Sequence, residues 1–243
     1  MNNYKITILH LYPDLLDLYG DKGNIECLKK RLIWRGIDAE VINCTTQNDN
    51  IDFGDIDIIF LGGGTDKAQT MVLEKLTAKK EELKGFIENS GTLLATSGGF
   101  ELIAKTYPLG EEQKEGLSLL NINAKKGDKG VRFTGDVVLD CDTLGAKLVG
   151  FENHTSRMDI GEYTPLGKVE KGNGNDGESG CEGIIYKNVI GTYLTGPLLP
   201  KNPELCDRIL LGALKNKYPE FESLSLLDNG LEILAKNYII NRS

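Results

Sequence analysis

The stretch Gly91-Thr92-Leu93-Leu94-Ala95-Thr96-Ser97-Gly98-Gly99-Phe100-Glu101-Leu102 joins a short apolar run to a helical one through two glycines. Leu93, Leu94 and Ala95 read as the end of a strand, and a helix starts near Gly98. Ser97 stands at the junction, with a small residue two places before it (Ala95) and two after it (Gly99). That is the steric requirement of a nucleophile elbow, a sharp strand-to-helix turn that lifts one side chain above a sheet. The same residue types also suit an ordinary turn with Ser97 as the helix N-cap. On this segment alone both readings stand.

Upstream of the elbow, two periodicities alternate. Lys5 to Leu11 reads as an apolar strand; about Leu15 to Trp34 carries Ile25, Leu28, Leu32 and Ile33 at helical spacing before Gly36 closes it. Further strands are predicted over Ala39 to Asn43 and Ile56 to Leu61, and a long helix over about Lys67 to Asn89 leads back to the quoted strand. This alternation predicts right-handed βαβ units and an α/β fold with a mostly parallel sheet and helices on both faces. Ligands of such a sheet sit beyond the carboxyl ends of its strands. After about residue 127 the texture changes to short β-like runs (Phe133 to Leu139, Lys147 to Phe151, Gly167 to Val169, Ile184 to Leu194). Helical patterns return near Pro203 to Lys217 and Leu227 to Tyr238. We read one domain over 1–243, with a βαβ half bearing the elbow (1–126) and a β-rich half ending in helices (127–243). Gly172 to Gly180 is rich in glycine and lacks calcium-loop spacing, so a mobile loop is expected there.

The 243 residues, 40% hydrophobic, are ample for a buried core, and a formal charge of -8 disfavours wrapping a polyanion. Nucleic acid is not an expected partner. No run approaches the roughly 18 apolar residues of a membrane span, and the polar start Met1-Asn2-Asn3 does not resemble a leader peptide. A cytoplasmic location is expected. The five cysteines lack C-x-x-C pairing and only His10 and His154 are present, so neither a disulfide framework nor a metal site is expected.

A second glycine turn, Gly62-Gly63-Gly64-Thr65-Asp66, ends the strand before the long helix. It fits neither common nucleotide-binding pattern. Exposed N–H groups there could instead stabilise an oxyanion. Together the two turns suggest acyl chemistry, with Ser97 as nucleophile and the N–H groups of Gly98 and Gly64 as the oxyanion hole.

Several segments, in order along the chain, carry a resemblance. They are Leu18-Tyr19-Gly20-Asp21-Lys22-Gly23-Asn24, the two glycine turns, Arg132-Phe133-Thr134-Gly135-Asp136, Gly150-Phe151-Glu152-Asn153-His154, and Gly191-Thr192-Tyr193-Leu194-Thr195-Gly196-Pro197-Leu198-Leu199-Pro200-Lys201-Asn202-Pro203. With them the chain resembles the GatD subunits of lipid II isoglutaminyl synthase, class I glutamine amidotransferases of the CobB/CobQ (cobyric acid synthase) type with a flavodoxin-like fold. The resemblance implies a subunit that hydrolyses glutamine and passes ammonia to a MurT-like Mur-ligase partner in a heterodimer. That partner would amidate the peptidoglycan stem peptide. It implies no cofactor in this chain; ATP and Mg would belong to the ligase. It places the family's catalytic cysteine at Ser97 and its histidine at Thr195. It also places substrate-binding roles at Arg132 and at Glu101, where a glutamine is common.

These departures fall on one site, and their chemistry points one way. A thiolate forms readily beside an imidazole, whereas a serine hydroxyl needs a base at the instant of attack, and threonine cannot accept that proton. Loss of a nucleophile–base unit removes on the order of 10⁶ in rate. The expected result is a pseudoenzyme. Two side chains could substitute as base: His154, whose setting implies a structural role, and Glu101, four residues from Ser97 on the same helical face. An active serine amidase and an amino-acid sensor built on Arg132 stay open as alternatives.

Overall fold

The computed structural model describes residues 4–242; Met1 to Asn3 and Ser243 lie outside the described residues. The chain runs β1 (Lys5–Leu11), α1 (Lys22–Ile33), β2 (Asp38–Cys44), β3 (Ile58–Leu61), α2 (Asp66–Thr77), α3 (Lys80–Glu88), β4 (Thr92–Thr96) and α4 (Gly98–Leu102). It continues through β5 (Thr106–Leu109), β6 (Glu112–Glu115), β7 (Asn123–Lys126), β8 (Phe133–Cys141), β9 (Ala146–His154), β10 (Ser156–Asp159) and β11 (Gly167–Lys171). Then come β12 (Cys181–Glu182), β13 (Ile184–Tyr186), β14 (Val189–Thr192), α5 (Pro203–Lys217) and α6 (Gly230–Asn241).

A six-stranded sheet has the order β13-β14-β4-β3-β1-β2, parallel except for β13 at its edge. The parallel part repeats the flavodoxin-like strand order. Its side chains divide between two cores. Ile59, Leu61, Leu93 and Ala95 pack with Val72, Leu76, Leu83 and Ile87 of α2 and α3. Ile58, Phe60, Leu94 and Ile190 pack with Leu28 and Leu32 of α1 and Leu205 and Ile209 of α5. Burial on both faces is why β3 reads as a continuous apolar run and β4 carries Leu93, Leu94 and Ala95 in sequence.

Two four-stranded sheets, β10-β7-β5-β6 and β12-β11-β8-β9, complete the β structure. The first draws strands from both sides of residue 126, because β7 pairs antiparallel with β10. The change of texture at residue 127 is therefore not a seam in the structure.

Three sequence expectations need correction. The helix expected from Leu15 begins at Lys22; Pro13 and Gly20 (φ 74°) keep the preceding residues in turns. The long helix over Lys67 to Asn89 is two helices, broken at Ala78 and Lys79. Neither glycine nor proline marks that break, and the apolar spacing runs across it, so periodicity alone could not reveal it. The glycine-rich loop is not loose: the Glu152 carboxylate accepts from the Asn173 N–H (3.0 Å), Asn173 Nδ2 (2.6 Å) and the Gly174 N–H (3.0 Å). Asn175, buried, accepts from the Gly183 N–H at 2.9 Å.

Candidate active site

Ser97 follows β4 directly, with φ 51° and ψ -117°, and its hydroxyl makes no capping bond to α4. An N-cap residue would be extended and would accept from the first turn. The backbone therefore decides for the elbow, whose strained conformation is typical of a side chain held for function. Packing around it explains the glycines. A Cβ on Gly99 would lie 2.2 Å from the Leu61 carbonyl oxygen, so only glycine lets α4 start against the end of β3. The Ser97 N–H donates to the Thr192 carbonyl at 2.8 Å, tying the elbow to β14.

A cleft of about 820 Å³ opens beyond the carboxyl ends of β3 and β4, and Ser97, Gly98, Glu101, Gly64, Arg132 and His154 all line it. The glycine turn touches the elbow: a Cβ on Gly63 would come within 3.2 Å of Ser97 Oγ. Within that turn the Gly63 N–H is already given to Asp21 Oδ2 at 3.1 Å. The Gly64 carbonyl accepts from Gln69 Nε2 at 3.2 Å. Arg132, at the exposed rim, donates to Asn153 Oδ1 at 2.8 Å.

Thr195 is placed differently. It is buried, is not among the residues lining the cleft, and donates its hydroxyl to the Phe151 carbonyl at 2.7 Å. Backbone bonds in both directions between Phe151 and Thr195 fix this segment against β9.

The two substitute bases also have defined settings. His154 stacks flat on Tyr193 at 3.7 Å, with Nδ1 2.8 Å from the Ser156 carbonyl. That contact makes Nδ1 the protonated nitrogen. Its Nε2 is buried without a partner, 4.0 Å from Glu152 Oε2. Burial pushes the imidazole down to about 4, so at neutral pH this approach is not an ion pair. Glu101 is buried, accepts from the Tyr193 hydroxyl at 3.4 Å, and is pushed up to about 7 chiefly by loss of water. Of the two, Glu101 is the group that titrates near neutrality beside Ser97.

Sequence reasoning did not assign the buried polar layer under the cleft. Asp21, just ahead of α1, orders the glycine turn; burial raises it to about 6 against the Gly63 N–H and the Thr96 hydroxyl. Glu182 accepts from Thr192 Oγ1 at 2.5 Å and the Tyr193 N–H at 2.8 Å, and burial raises it to about 7. The one sequence signal was the position of Asp21 within the segment Leu18 to Asn24. No metal-binding group of His, Cys, Asp and Glu occurs among the described residues, and no helix among them is long and apolar enough to cross a membrane.

Comparison with known proteins agrees with this arrangement. The CobB/CobQ-like glutamine amidotransferase domain matches residues 7–203. The GatD subunit of lipid II isoglutaminyl synthase (glutamine-hydrolyzing) from Staphylococcus aureus is 40% identical, with 99% of this chain and 97% of the relative aligned. Its counterpart from Streptococcus pneumoniae is 38% identical over 88% of this chain and 83% of its own length. Among solved structures, a glutamine amidotransferase from Thermotoga maritima shares the fold with a TM-score of 0.55 at 10% identity, over 96% of this chain and 93% of that one. The sequence, the sheet order and the elbow agree: this chain belongs to the CobB/CobQ-like glutamine amidotransferase family, in its GatD branch.

Proposed function

We propose that this chain is a cytoplasmic GatD-like subunit that assembles with a MurT-like Mur-ligase partner in amidation of the peptidoglycan stem peptide, its own glutaminase activity having been lost. One observation carries the loss: the elbow presents a hydroxyl, and Thr195 gives its own hydroxyl to the Phe151 carbonyl. Neither side chain can take a proton from the other at neutral pH. ATP and Mg act in the partner, and Arg132 at the cleft rim, with Gly64 and Gly98 beside Ser97, keeps the outline of a glutamine site. The subunit then serves as scaffold or ammonia-path wall for a ligase that draws free ammonium.

The test is co-expression with the Mur-ligase-like protein of the same cell. Co-elution, ligase activity that improves in the presence of this chain, and no glutamate formed from glutamine support the reading. A ligase that neither binds the chain nor changes its rate sinks it. A second reading, a slow serine amidase, is favoured by Glu101 titrating near neutrality in the same cleft. Ammonia release from glutamine that disappears in both Ser97→Ala and Glu101→Gln would establish it.

A further inference from the structure

Away from the cleft, Cys27 on α1 and Cys206 on α5 bring their Sγ atoms to 3.7 Å. Both thiols are free, Cys27 partly exposed and Cys206 fully buried. A disulfide requires about 2.05 Å between the sulfurs, so forming one closes a gap that is already short. Arg31, one turn along α1 from Cys27, puts its guanidinium near both sulfurs. It is itself held by the carboxylate of Asp207, the residue after Cys206, at 2.8 Å through two nitrogens. This pair fixes α1 against α5 and so holds the two sulfurs facing each other. Exposure, meanwhile, makes Cys27 the sulfur an oxidant reaches. Burial raises the Cys206 thiol, so it attacks only as its proton leaves, and its place beside Cys27 makes it the resolving partner.

We propose that Cys27 and Cys206 form a reversible redox-modification site, in which a peroxide converts the facing thiols into a disulfide that clamps α1 to α5. Cys27 sulfur attacks a peroxide oxygen; the O–O bond breaks, one water leaves with the thiol proton, and a sulfenic acid forms. Cys206 sulfur then attacks that sulfur; the S–O bond breaks and a second water leaves with the Cys206 proton. The peroxide gains the two electrons that the thiols lose. The clamp bears on the cleft through α1. Asn24 Oδ1 accepts from the Leu199 N–H at 2.9 Å, Asp21 holds the Gly63 N–H, and Leu18 and Tyr19 line the cleft just ahead of them.

The experiment treats the folded full chain with hydrogen peroxide and maps its peptides without reduction. The expected result is one Cys27–Cys206 cross-link, an intact mass lower by two hydrogens, and reversal by dithiothreitol. The unfolding temperature should rise by about 5 °C or more, because the link closes a long loop. In Cys206→Ser the cross-link is lost and Cys27 stops at a sulfenic acid that dimedone traps. Oxidation of Cys27 in the wild-type chain without linkage to Cys206, or linkage that appears only in urea, overturns the proposal. The wild-type map decides even where a variant fails to fold.

Discussion

A hydroxyl at the elbow and a thiol there ask different things of their neighbours. Ser97 has the backbone of a nucleophile, φ 51° and ψ -117°, without a proton acceptor at position 195. Restoring the thiol alone should therefore leave glutamine hydrolysis near background, since Cys at its ordinary value is mostly protonated at neutral pH. Adding Thr195→His changes this. An imidazole there can give its Nδ1–H to the Phe151 carbonyl that Thr195 Oγ1 now uses at 2.7 Å, leaving Nε2 as an acceptor for the elbow. Ser97→Cys/Thr195→His should produce ammonia from glutamine at least about 100-fold faster than Ser97→Cys alone, the scale of a positioned base. Equal rates in a coupled glutamate assay would show that position 195 does not serve the elbow. Arg132 belongs to the same test, since its removal from the double variant should raise KM for glutamine more than it lowers kcat.

At the scale of elements, the elbow depends on how closely α4 meets β3. Gly98 and Gly99 look alike in sequence but face different atoms. A Cβ at 99 would press on the Leu61 carbonyl oxygen, at 2.2 Å, and backbone cannot yield; one at 98 would meet Gln69 Nε2, the free end of a side chain. Gly99→Ala should cost about 3 kcal/mol or more, and Gly98→Ala about 1 kcal/mol, mainly the Gln69 bond to the Gly64 carbonyl. Urea unfolding with a constant m-value distinguishes the two. β9 makes a second such dependence, because Glu152 alone ties three donors of the 172–180 loop. Glu152→Ala should cost about 2–3 kcal/mol and open that loop to limited proteolysis, which the wild type should resist. These cases also mark what the sequence disclosed. The central sheet was legible because β3 is an unbroken apolar run that ends in glycine and β4 carries Leu93, Leu94 and Ala95 in sequence, and the elbow because its small neighbours are a steric necessity. The role of Asp21, the pinning of the loop and the turning of Thr195 toward Phe151 were not legible. Each depends on a partner 20 or more residues away, such as Gly63 for Asp21, that no local pattern encodes.

Across the whole molecule, burial has placed titrating groups so that stability and charge oppose each other. Glu101 and Glu182 are raised to about 7 and Asp21 to about 6, each chiefly by loss of water. A raised carboxyl favours the folded state below its unfolded value, near 4, and withdraws that support as pH rises through its folded value. His10 and His154, lowered to about 4 by burial, act in the opposite sense: they favour folding above about 6.5 and withdraw support as pH falls toward 4. Carboxylates held low by partners, such as Asp136 beside Arg242 and Asp176 accepting from Ser179, finish titrating below this window. Between pH 5 and 8 the three acids outweigh the two histidines, so unfolding free energy should fall by about 2–3 kcal/mol. Each buried glutamate supplies a comparable share of that fall. Glu101→Gln alone should make the profile nearly flat, and Glu101→Gln with Glu182→Gln should reverse it, so that stability rises from pH 5 to 8 under the histidines. Chemical denaturation at closely spaced pH values reads the sign directly. A double variant whose stability still falls with pH would mean that the protons taken up on folding are held by groups other than these two carboxyls.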